Sequence, residues 1–367
     1  MNNIERRYDI DWMRVIAIGL LLIYHIAIGF QPWGLLIGFI QSEEAIPSLW
    51  TPMTMLNVWR IPLLFFVSGM GVFFAMKKRR WFQLIKERTT RILVPFIFGI
   101  FVIVPLHVLL ILKYYDQPLS YQYNRGHLWF LGNIFVYVVV LSPLFFYLRN
   151  HSESKVAMGL KKLFGSPFGL LVAMLMLVLE VMIVKPVPFE LYALTWHGFF
   201  IGLLAFLLGF LFVFSGAPFW QMILKWKWVF LILAAGLYVL RITHFNLVAP
   251  GYLMSVESSL WIFSVFAFSY RYLNKPSKTL SYLSQAAYPV YIIHMAMLYG
   301  ASYLIFPTQL PIVLQFILVV LLTFLGCFIT FEFLIRRVWF LRPLFGLKPL
   351  PKTDRNILSE KAKLNEL

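Results

Sequence analysis

The sequence predicts an all-α membrane protein, a polytopic bundle of about ten transmembrane helices with the N-terminus and the C-terminus both cytoplasmic. Three observations carry this expectation. Hydrophobic residues make up 61% of the 367 positions and charged residues 13%, too little polar surface to clothe a soluble globule of that size. The apolar residues come in blocks of about 17 to 24, the length an α-helix needs to cross about 30 Å of hydrocarbon at 1.5 Å per residue. Finally, 27 of the 32 Lys and Arg residues fall in segments that alternate crossing puts on a single side, as the excess of positive charge in cytoplasmic loops requires.

In chain order the blocks occupy 14–31, 59–76, 92–112, 127–148, 168–184, 191–215, 229–243, 253–273, 286–306 and 312–335. With the N-terminus inside, the cytoplasmic segments run to Arg14, from Lys77 to Arg91, from Arg149 to Lys162, around Lys225 and Lys227, from Arg271 to Lys278, and from Arg336 onward. Only Arg60, Lys113, Arg125, Lys185 and Arg241 fall on the outer side. Removing or adding one span scrambles this partition. The first block lacks a small-x-small cleavage site around Phe30 to Gly34 and reads as a retained span rather than a signal peptide. The seventh is the weakest, because Val229 to Leu240 is short for a bilayer and Arg241 follows, so residues up to Leu247 are needed to reach across. Residues 1–340 read as one transmembrane domain. Residues 341–367 read as a cytoplasmic C-terminal tail, Lys/Pro-rich and then helix-prone from Ile357 to Leu367.

The formal net charge of +17 invites a nucleic-acid reading, but the topology rule accounts for nearly all of it, and no nucleic-acid partner is expected. The lipid bilayer is the expected partner, in the cell (inner, cytoplasmic) membrane. Cys327 is the single cysteine, so no disulfide can form within the chain and no thiol metal site can be built. No metal and no permanently bound cofactor is expected.

Ionisable groups inside a bilayer are costly and mark pathways or sites. Six of the seven histidines, His25, His107, His127, His197, His244 and His294, fall in the blocks or at their outer ends, together with Glu180, Glu257, Glu332, Arg60 and Arg241. His25 lies about 16 Å along the first span and His107 about 22 Å along the third. The outer half is thus unusually polar, which suits a cavity open to a hydrophilic molecule. Asp11, Arg14 and His25 share one stripe of the first helix, since eleven residues return to within about 20° of the starting direction. Arg88 and Arg91, three apart before the third span, offer two forked donors on one face, the chemistry that binds phosphate or pyrophosphate. Topology alone also places arginines at such a boundary.

The run Arg7-Tyr8-Asp9-Ile10-Asp11-Trp12-Met13-Arg14, with His25 following, resembles the opening of the integral-membrane acyltransferase type 3 family. Further similar stretches are Phe65-Phe66-Val67-Ser68-Gly69, Arg88-Thr89-Thr90-Arg91, His127-Leu128-Trp129-Phe130-Leu131 and Ala287-Tyr288-Pro289-Val290-Tyr291-Ile292-Ile293-His294. The last two look like the branch typified by glucan biosynthesis protein C, a succinyltransferase of periplasmic glucans. The resemblance implies a membrane O-acyltransferase that moves an acetyl or succinyl group from a cytoplasmic acyl-coenzyme A to a hydroxyl of an extracytoplasmic glucan or other envelope carbohydrate.

On that reading His25 is the general base, with Asp11 beside it in the catalytic set. Arg14, Arg88 and Arg91 bind the donor, and His127, Glu257 and His294 bind the acceptor. A covalent acyl-histidine remains an open alternative to general-base action. Ser68-Gly69 reads either as a small-residue packing notch or as a close approach to the acyl chain, and Glu257 either as a sugar ligand or as an ion-pair partner of Arg241 or Arg60. The competing function is a transporter or flippase for a sugar or lipid-linked intermediate, which also suits many spans with buried ionisable groups.

Overall fold

The computed structural model describes residues 6–349, and among them every regular element is helical. The helices are α1 (Tyr8–Ile28), α2 (Trp50–Met76), α3 (Trp81–Arg88), α4 (Val94–Phe98), α5 (Val104–Tyr114), α6 (Trp129–Asn150) and α7 (Lys155–Phe164). They continue with α8 (Pro167–Val184), α9 (Trp196–Phe214), α10 (Ala217–Phe245), α11 (Gly251–Tyr272), α12 (Lys278–Ile305), α13 (Ile312–Ile329) and α14 (Leu341–Leu344). The helix-prone stretch 357–367 lies outside the described residues.

Nine helical stretches among the described residues are long and apolar enough to cross a membrane. The tenth expected span corresponds to α12, whose 28 residues are ample for a crossing. It stays outside that group because its composition includes Ser, Gln, Tyr and His, and it packs against α1, α5 and α13. Exposed apolar residues such as Ile183 (78%), Ile232 (67%) and Val313 (62%) form the surface a lipid solvent requires.

Several helices start earlier than hydropathy predicts. α1 begins at Tyr8 and α2 at Trp50, with Asn57, Thr54 and Arg60 inside the helical run. The seventh block proves to be part of a 29-residue helix that starts at Ala217, so Lys225, Lys227 and Arg241 are all helical. Its reach comes from the N-terminal side, where lysines disguised it. The third span is a composite: α3, a π turn over Thr89–Leu93, α4, a second π turn over Gly99–Ile103, and α5. Pro95 and Pro105 explain the interruptions, since neither can donate an amide hydrogen to the preceding turn. The carbonyl that Pro105 leaves without its usual donor, Phe101 O, accepts from the Tyr121 hydroxyl at 2.6 Å. The same logic operates in α2, where Pro62 frees Val58 O and the Tyr192 hydroxyl donates to it at 2.9 Å.

α2 is the hub. Of its most apolar stretch, 78% is buried, against 17% for α10 and 22% for the span beginning at Ile312. Its tightest partner is α9, and the crossing is reciprocal: Gly69 lies against Phe206 O and Gly209 against Phe66 O. A methyl group at either place collides with backbone. The Ser68-Gly69 pair is therefore a packing notch of the small-residue kind, with the Ser68 hydroxyl turned back to Leu64 O at 2.7 Å. Gly69→Ala is expected to destabilise the protein by about 1 to 3 kcal/mol through this overpacking, measured as a lowered thermal midpoint; an unchanged midpoint would show that the α2–α9 spacing tolerates a side chain.

The start of α1 is clasped by the bundle. Buried Asp9 pairs with Arg7 at 2.6 Å, and the Arg7 guanidinium lies 3.8 Å from the Trp220 ring and 4.8 Å from that of Tyr270. This fixes the rotation of α1, and hence the direction of the stripe that carries Asp11, Arg14 and His25. At the other end of the chain, packing continues past residue 340: α14 rests on α4, Phe345 is buried against Phe98, and Gly346 O accepts from Arg91 Nε at 3.3 Å.

Candidate active site

His25 occupies the last turn of α1, and α12 brings His294 to it. His25 Nδ1 and His294 Nε2 are 2.9 Å apart, with the rings nearly parallel at 9°. His294 is wholly buried, and its Nδ1 lies 2.6 Å from Tyr291 O. A carbonyl oxygen only accepts, so His294 Nδ1 carries the proton. In neutral His294 the Nε2 lone pair then accepts from Nδ1–H of His25. Neutral His25 is left with a bare lone pair on Nε2, the state a general base needs. The tautomer follows from the hydrogen-bond chain.

His127 joins from the short 3₁₀ turn that opens α6. Its ring sits edge-on to His294 at 4.9 Å, Nε2–H donates to Ile292 O at 3.1 Å, and Nδ1 is buried without a hydrogen-bond partner. The Tyr291 hydroxyl donates to His127 O, locking α12 to this turn. His107 on α5 adds a fourth ring, 5.6 Å from His127 and stacked on Tyr299 at 5.3 Å. The loop after α1 folds back over the group, held by Ser42 N to Gly29 O at 2.8 Å, and lays Phe39 against both His25 and Tyr299. The structure thus brings together His25, His127 and His294, and adds His107, which the sequence reading left out of the site.

A second constellation lies at the α1 N-terminal end. Arg14 Nη1 is 3.5 Å from Asp11, which also takes Arg6 at 2.9 Å. Arg88 and Arg91 converge on one carboxylate, Glu87, at 3.6 and 3.0 Å, and Arg79 joins them at 3.5 Å. The charges of Arg14, Arg79 and Arg91 all act on Arg88, so the donor-site residues expected from two separate segments form one cluster. Arg149 helps hold it by donating to Met76 O and Arg79 O at 2.8 and 2.9 Å. Arg79 and Glu87 were not singled out from the sequence. The available signal was that Glu87 is the only acid between Glu44 and Asp116, a lone counter-charge in a basic segment.

Asp11 is placed with this arginine cluster, about four turns of α1 from His25, rather than beside the imidazole. Glu257 is not brought into the imidazole group. Its carboxylate accepts a hydrogen bond from Arg241 Nη2 at 3.0 Å and forms an ion-pair contact with Arg241 Nε at 2.9 Å, and Trp261 adds a long contact at 3.4 Å. Glu190, in the loop before α9, lies 3.5 Å from Arg241. Burial pushes the Glu190 carboxyl above its ordinary range, opposed by its own backbone and by Arg241. Nearby Glu180 and His197 form a further buried pair at 3.0 Å. Among the described residues no group of three or more His, Cys, Asp or Glu side chains is suited to hold a metal ion. A cavity of ≈ 340 Å³ lined by Met13, Ile16, Trp59 and Phe268 opens on another face of α1, where Met13 and Ile16 stand roughly 120° and 180° from His25.

The protein is thus a polytopic helical bundle with an imidazole network in its interior and a guanidinium cluster at one end. The chain belongs to the acyltransferase type 3 family: the family model described as an acyltransferase domain matches residues 7–332. It is therefore a multi-pass membrane acyltransferase, and the transporter alternative gives way to an enzyme. No curated protein and no solved structure matches the chain.

Proposed function

We propose that this acyltransferase moves an acetyl or succinyl group from an acyl-coenzyme A, bound at the arginine cluster on the cytoplasmic side, to a hydroxyl of an extracytoplasmic carbohydrate, as in the glucan biosynthesis protein C branch. The observation that carries the reading is the bare Nε2 of His25, fixed by the chain His25 Nδ1 to His294 Nε2 and His294 Nδ1 to Tyr291 O. That nitrogen accepts the proton of the sugar hydroxyl as its oxygen attacks the thioester carbonyl. The C–O bond forms, the carbonyl π pair moves to oxygen, and collapse of the tetrahedral adduct breaks C–S. The departing thiolate recovers the proton from His25, so the enzyme ends as it began. His294 acts as a positioning residue, holding the tautomer of the base.

The cytoplasmic placement of both termini, in the cell (inner) membrane, rests on the 27 of 32 basic residues that fall on one side. Arg14, Arg79, Arg88 and Arg91 suit the phosphates of the donor. Sealed vesicles test chemistry and sidedness together. Labelled acyl-coenzyme A supplied to the cytoplasmic face is expected to yield labelled carbohydrate on the opposite face only. Label transfer when donor and acceptor share the outer face, or no transfer at all, removes the reading.

A further inference from the structure

Arg60 has no ionic partner. It is 1% exposed, yet among the described residues no acidic side chain pairs with it. Its single hydrogen bond, Nη1 to Leu20 O, is 3.4 Å long, its Nε is unpartnered, and its guanidinium lies 4.1 Å over the Tyr24 ring. Other cations are served differently. Buried Arg241 has Glu257 and Glu190, and half-buried Arg7 has Asp9. A guanidinium that is desolvated and not neutralised is costly, and where one persists in a membrane protein it marks a place for an anion.

The location narrows the choice. Leu20 and Tyr24 are the α1 residues one turn before and immediately beside His25, so Arg60 is held against the turn that carries the base. Its charge acts on both His25 and His294. The two tyrosines whose hydroxyls it senses, Tyr24 and Tyr192, are neutral polar groups, not counter-ions. The α2 turn carrying Arg60 is opened by Pro62 and pinned by Tyr192 at Val58 O, which keeps the guanidinium pointed inward.

We propose that Arg60 is the anion-binding residue of the acyl site: it receives a negatively charged oxygen of the group being transferred. That oxygen is either the oxyanion formed at the thioester carbonyl or the distal carboxylate of a dicarboxylic acyl group. The assignment rests on the acyl-transfer reading, and two donors separate the sources. Purified full-length protein in nanodiscs is assayed with acetyl- and succinyl-coenzyme A and a glucan oligosaccharide. If the oxyanion is the ligand, Arg60→Gln loses about 10²-fold in kcat with both donors. If the carboxylate is the ligand, the loss is confined to succinyl transfer. Either result, with Arg60→Lys recovering about tenfold over Arg60→Gln at an unchanged thermal midpoint, upholds the site. Rates near wild type with both donors, or equal loss in the Lys and Gln variants, overturn it. Should wild-type protein use neither donor, the acyl-coenzyme A reading fails on its own, and succinate becomes the probe. A rise in Tm with succinate for wild type but not Arg60→Gln then upholds the anion site, and an equal response overturns it.

Discussion

His25→Ala is expected to lower acyl transfer by about 10² to 10⁴, the usual contribution of a positioned general base, while leaving the protein folded and inserted. The structural reason for expecting an intact fold is that His25 contributes one hydrogen bond, to His294, at the end of a helix whose rotation is set elsewhere, by Arg7 and Asp9 against Trp220 and Tyr270. Phe39, Tyr299 and the loop that covers the site keep their own contacts through Ser42 N to Gly29 O and Tyr299 to Gly38 O. The loss belongs in kcat, because the imidazole meets the hydroxyl proton only as the bond forms. Acid-quenching the wild-type enzyme with labelled donor alone distinguishes the two chemistries. Label retained on the protein and absent from His25→Ala identifies an acyl-histidine, and no retained label fits general-base action. Near-normal turnover in His25→Ala would remove the central mechanistic claim.

The parts of this molecule that were legible in the sequence are those that depend on periodicity along one helix. Asp11, Arg14 and His25 form a stripe because of helical geometry alone, and the structure keeps Arg14 and Asp11 within 3.5 Å. Span positions were legible from hydropathy, but not their starts. Tyr8, Trp50 and Ala217 open helices whose first turns are polar or aromatic, and hydropathy reads a polar turn at a helix end as loop. What the sequence does not encode locally is which helices meet. His107, His127 and His294 look alike as isolated membrane histidines, and only the packing of α12 against α1 and α5 places three of their rings in one network with His25. Glu257 and Arg241 were separately visible as buried charges. Their pairing, at sequence separation 16, depends on α10 and α11 lying side by side.

Arg88→Ala and Arg91→Ala are each expected to raise the apparent KM for the acyl-coenzyme A donor by about ten- to a hundredfold, from the 1.5 to 3 kcal/mol typical of a charged hydrogen bond. Arg14, Arg79, Arg88 and Arg91 face the single carboxylate of Glu87 and the shared one of Asp11, so the cluster keeps an excess of positive charge for phosphate. The groups act on a part of the donor remote from the carbonyl, so KM moves before kcat. The two variants differ in what they release. Arg91 is also tied to Gly346 O at 3.3 Å and to Glu87 at 3.0 Å, whereas Arg88 meets Glu87 at only 3.6 Å. Arg88→Ala thus removes donor contact with little rearrangement, and Arg91→Ala also loosens the segment after α14. Because the three guanidinium groups share Glu87, the double variant costs less than the sum of the singles. His127→Ala, with its unpartnered buried Nδ1, is expected to do the reverse, raising the acceptor KM while sparing the donor. A steady-state matrix with donor and acceptor varied independently decides the matter. Inner variants that chiefly harm acceptor use, or inner and His127 variants that harm both substrates alike, would rule out a donor site at the arginine cluster separate from an acceptor site at the imidazoles.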